Sequence, residues 1–72
     1  MNKYKVKYNG KTYFYTGENT AEAAAKLNNR KVFGRYMIVN MRLTMCDADT
    51  RGVNWAEYVA DGKPVSIEIV TE

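Results

Sequence analysis

The chain has 72 residues, with 11 Lys/Arg against 8 Asp/Glu, one cysteine and no histidine. That length supports one domain, 1–72, which buries only roughly 60% of its unfolded surface and leaves little material for a deep cleft of roughly 300 Å³ or more, so an extended face is the expected functional surface. One cysteine excludes an intrachain disulfide, and the lack of histidine removes the commonest general base and metal ligand.

The first predicted element is a hairpin, Lys3 to Tyr15, with Tyr8-Asn9-Gly10-Lys11 at its tip. Asn-Gly between alternating apolar residues is a strong hairpin cue, because the turn needs positive φ. Two registers are open. A three-residue loop with a bulge makes Lys7 face Lys11 and puts Tyr4, Val6 and Phe14 on one face. A two-residue loop instead sends Phe14 to the lysine face. The first is favoured because it gathers the largest apolar side chains, each contributing roughly 1.5–3 kcal/mol on full burial. Its outer face then carries Lys3, Lys5, Lys7, Lys11, Tyr13 and Tyr15.

A helix follows, with Asn19 or Thr20 as its cap and Glu22 in its first turn, running through Ala23, Ala24, Ala25, Lys26 and Leu27 and fading near Asn28 and Asn29. From Arg35 to Cys46, Met37, Val39, Met41, Leu43 and Met45 alternate with Tyr36, Ile38, Asn40, Arg42 and Thr44, which predicts a strand that is central or covered on both faces in its first half. A polar loop, Asp47 to Gly52, leads to a second hairpin turning at Asp61-Gly62. In the bulged register Val53, Trp55, Val65, Ile67 and Ile69 share its inner face, with Glu57 as a misfit at the margin. The order is β-β-α-β-β-β: an α+β domain, one helix on a single antiparallel sheet.

Signals for catalysis are sparse. Cys46 lacks an activating histidine and reads as a small residue at a strand end, and Ser66 as a solvent-facing strand residue. Asp47-x-Asp49-x-x-Gly52 has the opening spacing of a calcium loop, but Arg51 and Tyr58 stand where ligands five and twelve belong, so the segment reads as a turn. Glycines 10, 17, 34, 52 and 62 are too scattered for a phosphate loop. The expectation is a non-enzyme without metal or cofactor.

Charge is split along the chain. Residues 1–35 hold eight Lys/Arg against Glu18 and Glu22, whereas residues 36–72 hold three against six acids. The hairpin lysines, extended by Arg30, Lys31 and Arg35, make a basic surface suited to a phosphate backbone or an acidic protein, and exposed tyrosines would offer stacking platforms. The plain alternative is that these lysines guard a sheet edge. No run approaches the roughly 20 apolar residues of a membrane span, and Met1-Asn2-Lys3-Tyr4-Lys5 lacks a signal-peptide core, so the expected setting is a reducing bacterial cytoplasm without membrane contact.

Thr20-Ala21-Glu22-Ala23 through Val32-Phe33-Gly34, the alternating strand, and Trp55-Ala56-Glu57-Tyr58-Val59-Ala60-Asp61-Gly62-Lys63 together resemble the small phage-encoded type I-F anti-CRISPR proteins. The likeness covers about the last two thirds of the chain. It implies a sheet-plus-helix protein that binds a CRISPR surveillance complex and blocks recognition of target DNA. Basic residues in mid-helix meet the crRNA-backbone subunit in that family; the matching positions here are Ala24 and Ala25, with Arg30 and Lys31 nearby. The first functional expectation is therefore a phage- or mobile-element-encoded inhibitor that occludes a surface of a host nucleoprotein complex. A direct DNA- or RNA-binding module using the Lys/Tyr face is the second. A structural or self-assembling phage protein, pairing through Tyr36 and Ile38 or its end strands, is the third; the oligomeric state stays open.

Overall fold

The computed structural model describes residues 1–29 and 40–70, together with the backbone of two short strands between them. In chain order the elements are β1 (Asn2–Tyr8), β2 (Lys11–Gly17), α1 (Thr20–Asn28), β3 (Lys31–Val32), β4 (Arg35–Tyr36), β5 (Met41–Cys46), β6 (Trp55–Ala60) and β7 (Lys63–Ile69). Five strands form one antiparallel sheet in the order β2-β1-β7-β6-β5. This is the expected α+β architecture. The last strand returns to pair with the first, so the two long hairpins lie side by side. A separate ladder joins Lys31–Val32 to Arg35–Tyr36, a pairing the single strand predicted from Arg35 to Cys46 did not include. The predicted two-sided cover of Tyr36 and Ile38 lies outside the described residues.

Both hairpin turns are two residues long, with Tyr8 opposite Lys11 and Ala60 opposite Lys63. This overturns the bulged register. Asn9 and Gly10 have φ of 52° and 76°, and Asp61 and Gly62 have 51° and 78°. With both central residues at positive φ, the turn's twist matches that of the strands, and no extra residue is needed. The one-residue difference moves Phe14 and Trp55 off the core face and brings Ala56 and Ala60 onto it. It also places Glu57 on the open face, which removes the misfit.

The core lies between α1 and one face of the sheet. Tyr4, Val6, Val65, Ile67, Ala23 and Leu27 are buried, with Tyr13, Tyr15, Tyr58, Met41 and Ile69 packed around them. Tyr4 is fully buried, and a buried phenol needs a partner; its hydroxyl donates to the Val53 carbonyl at 2.6 Å. The predicted cap is Asn19, whose Oδ1 accepts from the Glu22 N–H at 3.0 Å. The Glu22 carboxylate in turn accepts from the Glu18 N–H. Leu27 is the largest apolar residue on the helix, so Ala23 and Ala24 set a close approach to the sheet.

The β5–β6 loop closes one end of the molecule. Gly52 is buried at φ 83°, and its carbonyl accepts from the Thr20 N–H at 2.9 Å. A Cβ there would stand 2.7 Å from Thr20 Oγ1, whereas one on Gly10 would meet nothing within 4 Å. In urea unfolding, Gly10→Ala should therefore cost about 1–2 kcal/mol, the backbone penalty of a left-handed residue, and Gly52→Ala should cost clearly more. Equal costs would mean that the loop yields without loss.

Candidate interaction face

The helix covers one face of the sheet. On the opposite face, cross-strand pairing sets a row of Phe14, Lys5, Glu68 and Trp55, running from β2 to β6. The neighbouring row is Thr12, Lys7, Ser66, Glu57 and Met45, from β2 to β5. Lys3 lies beside Thr16, and Arg42 beside Val59 and Pro64. Among the described residues no element packs on this face. Phe14 is 54% exposed, Met45 54% and Trp55 39%.

Lys3, Lys5 and Lys7 line up on β1 as predicted, and the Lys3 Nζ sits 5.4 Å from the centre of the Phe14 ring. Such a contact is attractive because the ring face carries negative charge. Tyr13 and Tyr15 are elsewhere. The register turns them to the helix side, where their rings stack at 6.1 Å with 10° between planes and pack against the core. The aromatic residue beside the lysines is Phe14, not the two tyrosines. Lys11 pairs opposite Tyr8 at the hairpin tip and is exposed there. The side chains of Arg30, Lys31 and Arg35 lie outside the described residues.

Met45 reaches this face through an irregularity. The pairing of β5 with β6 shifts between Leu43 and Met45, and Thr44 Oγ1 donates to the Glu57 carbonyl at 2.9 Å. The bulge flips the alternation, so Leu43 stays on the helix side while Met45 joins Glu57 on the open side. A strict period of two placed both on one face.

Trp55 is held by Asp47. One carboxylate oxygen accepts from the Trp55 N–H at 3.2 Å and the other from the Asn54 N–H at 3.2 Å. Desolvation works to raise the pKa of this group, but the N–H groups of Trp55, Asn54 and Asp47 itself, with the Asn54 side chain, outweigh it and hold the carboxyl below the ordinary 3.8. The segment with calcium-loop spacing is thus a turn closed by its own backbone, with Thr50 and Gly52 N–H groups donating to the Asp47 carbonyl. Among the described residues no three His, Cys, Asp or Glu side chains cluster to hold a metal. None of the described helices is long and apolar enough to cross a membrane.

Comparison with family models, with curated proteins and with solved structures finds no match to this chain.

Two outcomes follow. Exposed Phe14→Ala should change stability by no more than about 0.5 kcal/mol, whereas Tyr15→Ala should cost about 1–3 kcal/mol as packed area is lost; chemical denaturation reads both, and the bulged register would give the reverse order. The folded pKa of Asp47 lies below its unfolded value, so its contribution is present above the unfolded value and is lost as pH falls through the folded one. Asp47→Asn should melt lower than the wild type at neutral pH, and the gap should narrow below about pH 4; a gap that stays constant to about pH 2 would refute this.

Proposed function

We propose that this chain is a non-enzymatic binding protein of the bacterial cytoplasm, encoded by a phage or mobile element, that inhibits a host nucleoprotein complex by laying its open sheet face over one of that complex's surfaces. The observation that carries the reading is the uncovered face on which Lys3, Lys5 and Lys7 run beside exposed Phe14 and Trp55. Aromatic anchors beside basic side chains are the composition of protein interfaces, and a basic row steers a protein toward a surface that normally accepts a phosphate backbone. Glu57 and Glu68 on the neighbouring strands add the mixed charge that fixes orientation on a protein better than on a bare polyanion. The resemblance to type I-F anti-CRISPR proteins supplies the kind of machine, a CRISPR surveillance complex.

A second reading, direct binding of single-stranded DNA or RNA, is favoured by the Lys3 ammonium over the Phe14 ring, an arrangement that can carry a phosphate and a stacked base together. It predicts affinity for free oligonucleotide that falls with salt at a slope of about −0.7 per phosphate contact.

The deciding experiment mixes the protein with a purified type I-F surveillance complex and follows binding of target DNA. The wild type should block it, and the charge reversal Lys3→Glu, Lys5→Glu, Lys7→Glu should restore it. Unimpaired DNA binding with wild type would remove this target, and inhibition that survives the triple reversal would remove this face. Salt-sensitive quenching of Trp55, the one tryptophan in the chain, by free oligonucleotide would move the assignment to the second reading.

A further inference from the structure

Where the tips of the two long hairpins meet, the open face holds a depression of about 820 Å³. Its lining is divided. Lys7, Thr12, Ser66 and Glu57 lie on the open side, whereas Lys11 and Lys63 pair opposite buried Tyr8 and Ala60 and belong to the helix side. The depression gathers no charge of one sign and selects no class of ligand. The free edge of β2 is more specific.

Antiparallel pairing turns the backbone N–H and C=O groups of alternate residues to opposite edges of a strand. The Lys3 carbonyl accepts from the Val70 N–H at 2.8 Å, so Lys3, Lys5 and Lys7 bond toward β7 while Asn2, Tyr4, Val6 and Tyr8 bond toward β2. The β2 partners of that second set are Gly17, Tyr15, Tyr13 and Lys11. Thr12, Phe14 and Thr16 therefore turn their backbone groups outward, and the Thr16 carbonyl accepts from the Lys26 ammonium instead of from a strand. Sheet edges are ordinarily closed by charge, proline or a bulge. Here the 7 residues of β2 pair with β1 without a register shift, the three outward residues are uncharged, and the lysine row stands on β1, an interior strand.

The edge is also its own complement. Thr12-Tyr13-Phe14-Tyr15-Thr16 reads the same in both directions, so a second β2 laid antiparallel with Phe14 at the centre matches it residue for residue. We propose that the chain forms a two-fold dimer by this pairing, which joins two five-stranded sheets into one. Phe14 exchanges both backbone bonds with the second copy's Phe14, and Thr12 does so with the second copy's Thr16, as in the bonded pairs of any antiparallel ladder. A carbonyl oxygen has two lone pairs, so Thr16 can keep Lys26 while it accepts the incoming N–H. On the open side the two Phe14 rings meet, an aromatic pair that covers a side chain 54% exposed in the single chain. On the helix side Tyr13 meets the second copy's Tyr15, and Lys11 comes opposite the second copy's Gly17. Glu22 Oε2 stands 2.8 Å from where a Cβ on Gly17 would lie, so each end of the seam brings a lysine to a carboxylate. The two-fold axis is perpendicular to the sheet, which makes both open faces look the same way. The row Trp55, Glu68, Lys5, Phe14 then runs on into its copy, and the basic face is doubled without using Lys3, Lys5, Lys7 or Trp55.

The test needs the full chain alone, so its outcome is independent of any target. Sedimentation from about 1 µM to about 1 mM should show the monomer mass rising to twice its value and stopping there. Amide hydrogen exchange followed by NMR locates the seam: as concentration rises, Thr12, Phe14 and Thr16 should gain protection of roughly tenfold or more, while Tyr13 and Tyr15, already bonded to β1, should change little. Phe14→Pro removes an outward N–H and no bond to β1. Phe14→Glu stands opposite Lys5 within the chain but opposite its own copy at the axis. Both should keep the monomer fold and weaken the dimer by roughly tenfold or more. Trp55→Ala, on the same face but three strand spacings away, on the order of 14 Å, should leave it intact. A monomer at about 1 mM, growth beyond two copies, a dimer whose three edge amides exchange as in the monomer, or undiminished dimerisation of both Phe14 variants would overturn the proposal.

Discussion

Four positive φ angles govern most of what this molecule presents to its surroundings. Asn9, Gly10, Asp61 and Gly62 close two hairpins in two residues each, and closing them so tightly settles which side of every paired strand looks at the helix. Tyr4, Val6, Val65 and Ile67 go inward, while Phe14 and Trp55 go outward with the lysines. The exposure of two large aromatic side chains follows from turn chemistry rather than from a failure of packing. Because the turns demand little of neighbouring atoms, with open space beside Gly10 and Gly62, the register is imposed locally.

Tyrosine makes that inversion tolerable. Tyr4, Tyr8, Tyr13, Tyr15 and Tyr58 supply ring area on the helix side. The deepest of them, Tyr4, spends its hydroxyl on the Val53 carbonyl, 49 residues away. That bond, the Thr20 N–H to Gly52 carbonyl bond and the Asp47 turn tie the first strand, the helix start and the β5–β6 loop into one closed end. The opposite end, where the hairpin tips meet, has the lighter link of Lys63 to Asn9 and carries the depression. The heavier cross-links and the depression thus sit at different ends of one sheet.

Much of this was legible in the residues. Alternation and the Asn-Gly and Asp-Gly dipeptides located both hairpins, and Asn19 with Glu22 located the helix start. Apolar size alone points to the wrong face for Phe14 and Trp55. Burying Phe14 and Trp55 looked favourable, yet alanines 56 and 60 and a bonded Tyr4 hydroxyl do the work inside. The two-residue preference of Asn-Gly was the signal that would have corrected it. The lysine row on β1 was readable because alternation within one strand does not depend on pairing. The depression at the hairpin tips was not, since Val65 and Ser66 come beside Tyr8 and Lys7 only through the β1–β7 pairing, a contact that spans the chain. The flip of Met45 depends on a bulge at Thr44 with no sequence mark beyond a hydroxyl on a strand.

That bulge has a bearing on how the protein keeps its own company. β5 is the last strand of the five-stranded sheet and carries Leu43 and Met45 about half exposed on its two sides. A straight strand of this composition would be a template for a neighbouring chain to add to, copy after copy. Thr44 interrupts the spacing of amide and carbonyl groups along the rim and turns its hydroxyl inward to Glu57. An incoming strand in regular register would meet one residue too many. The irregularity thus makes this rim a poorer template for a further strand than a straight one would be.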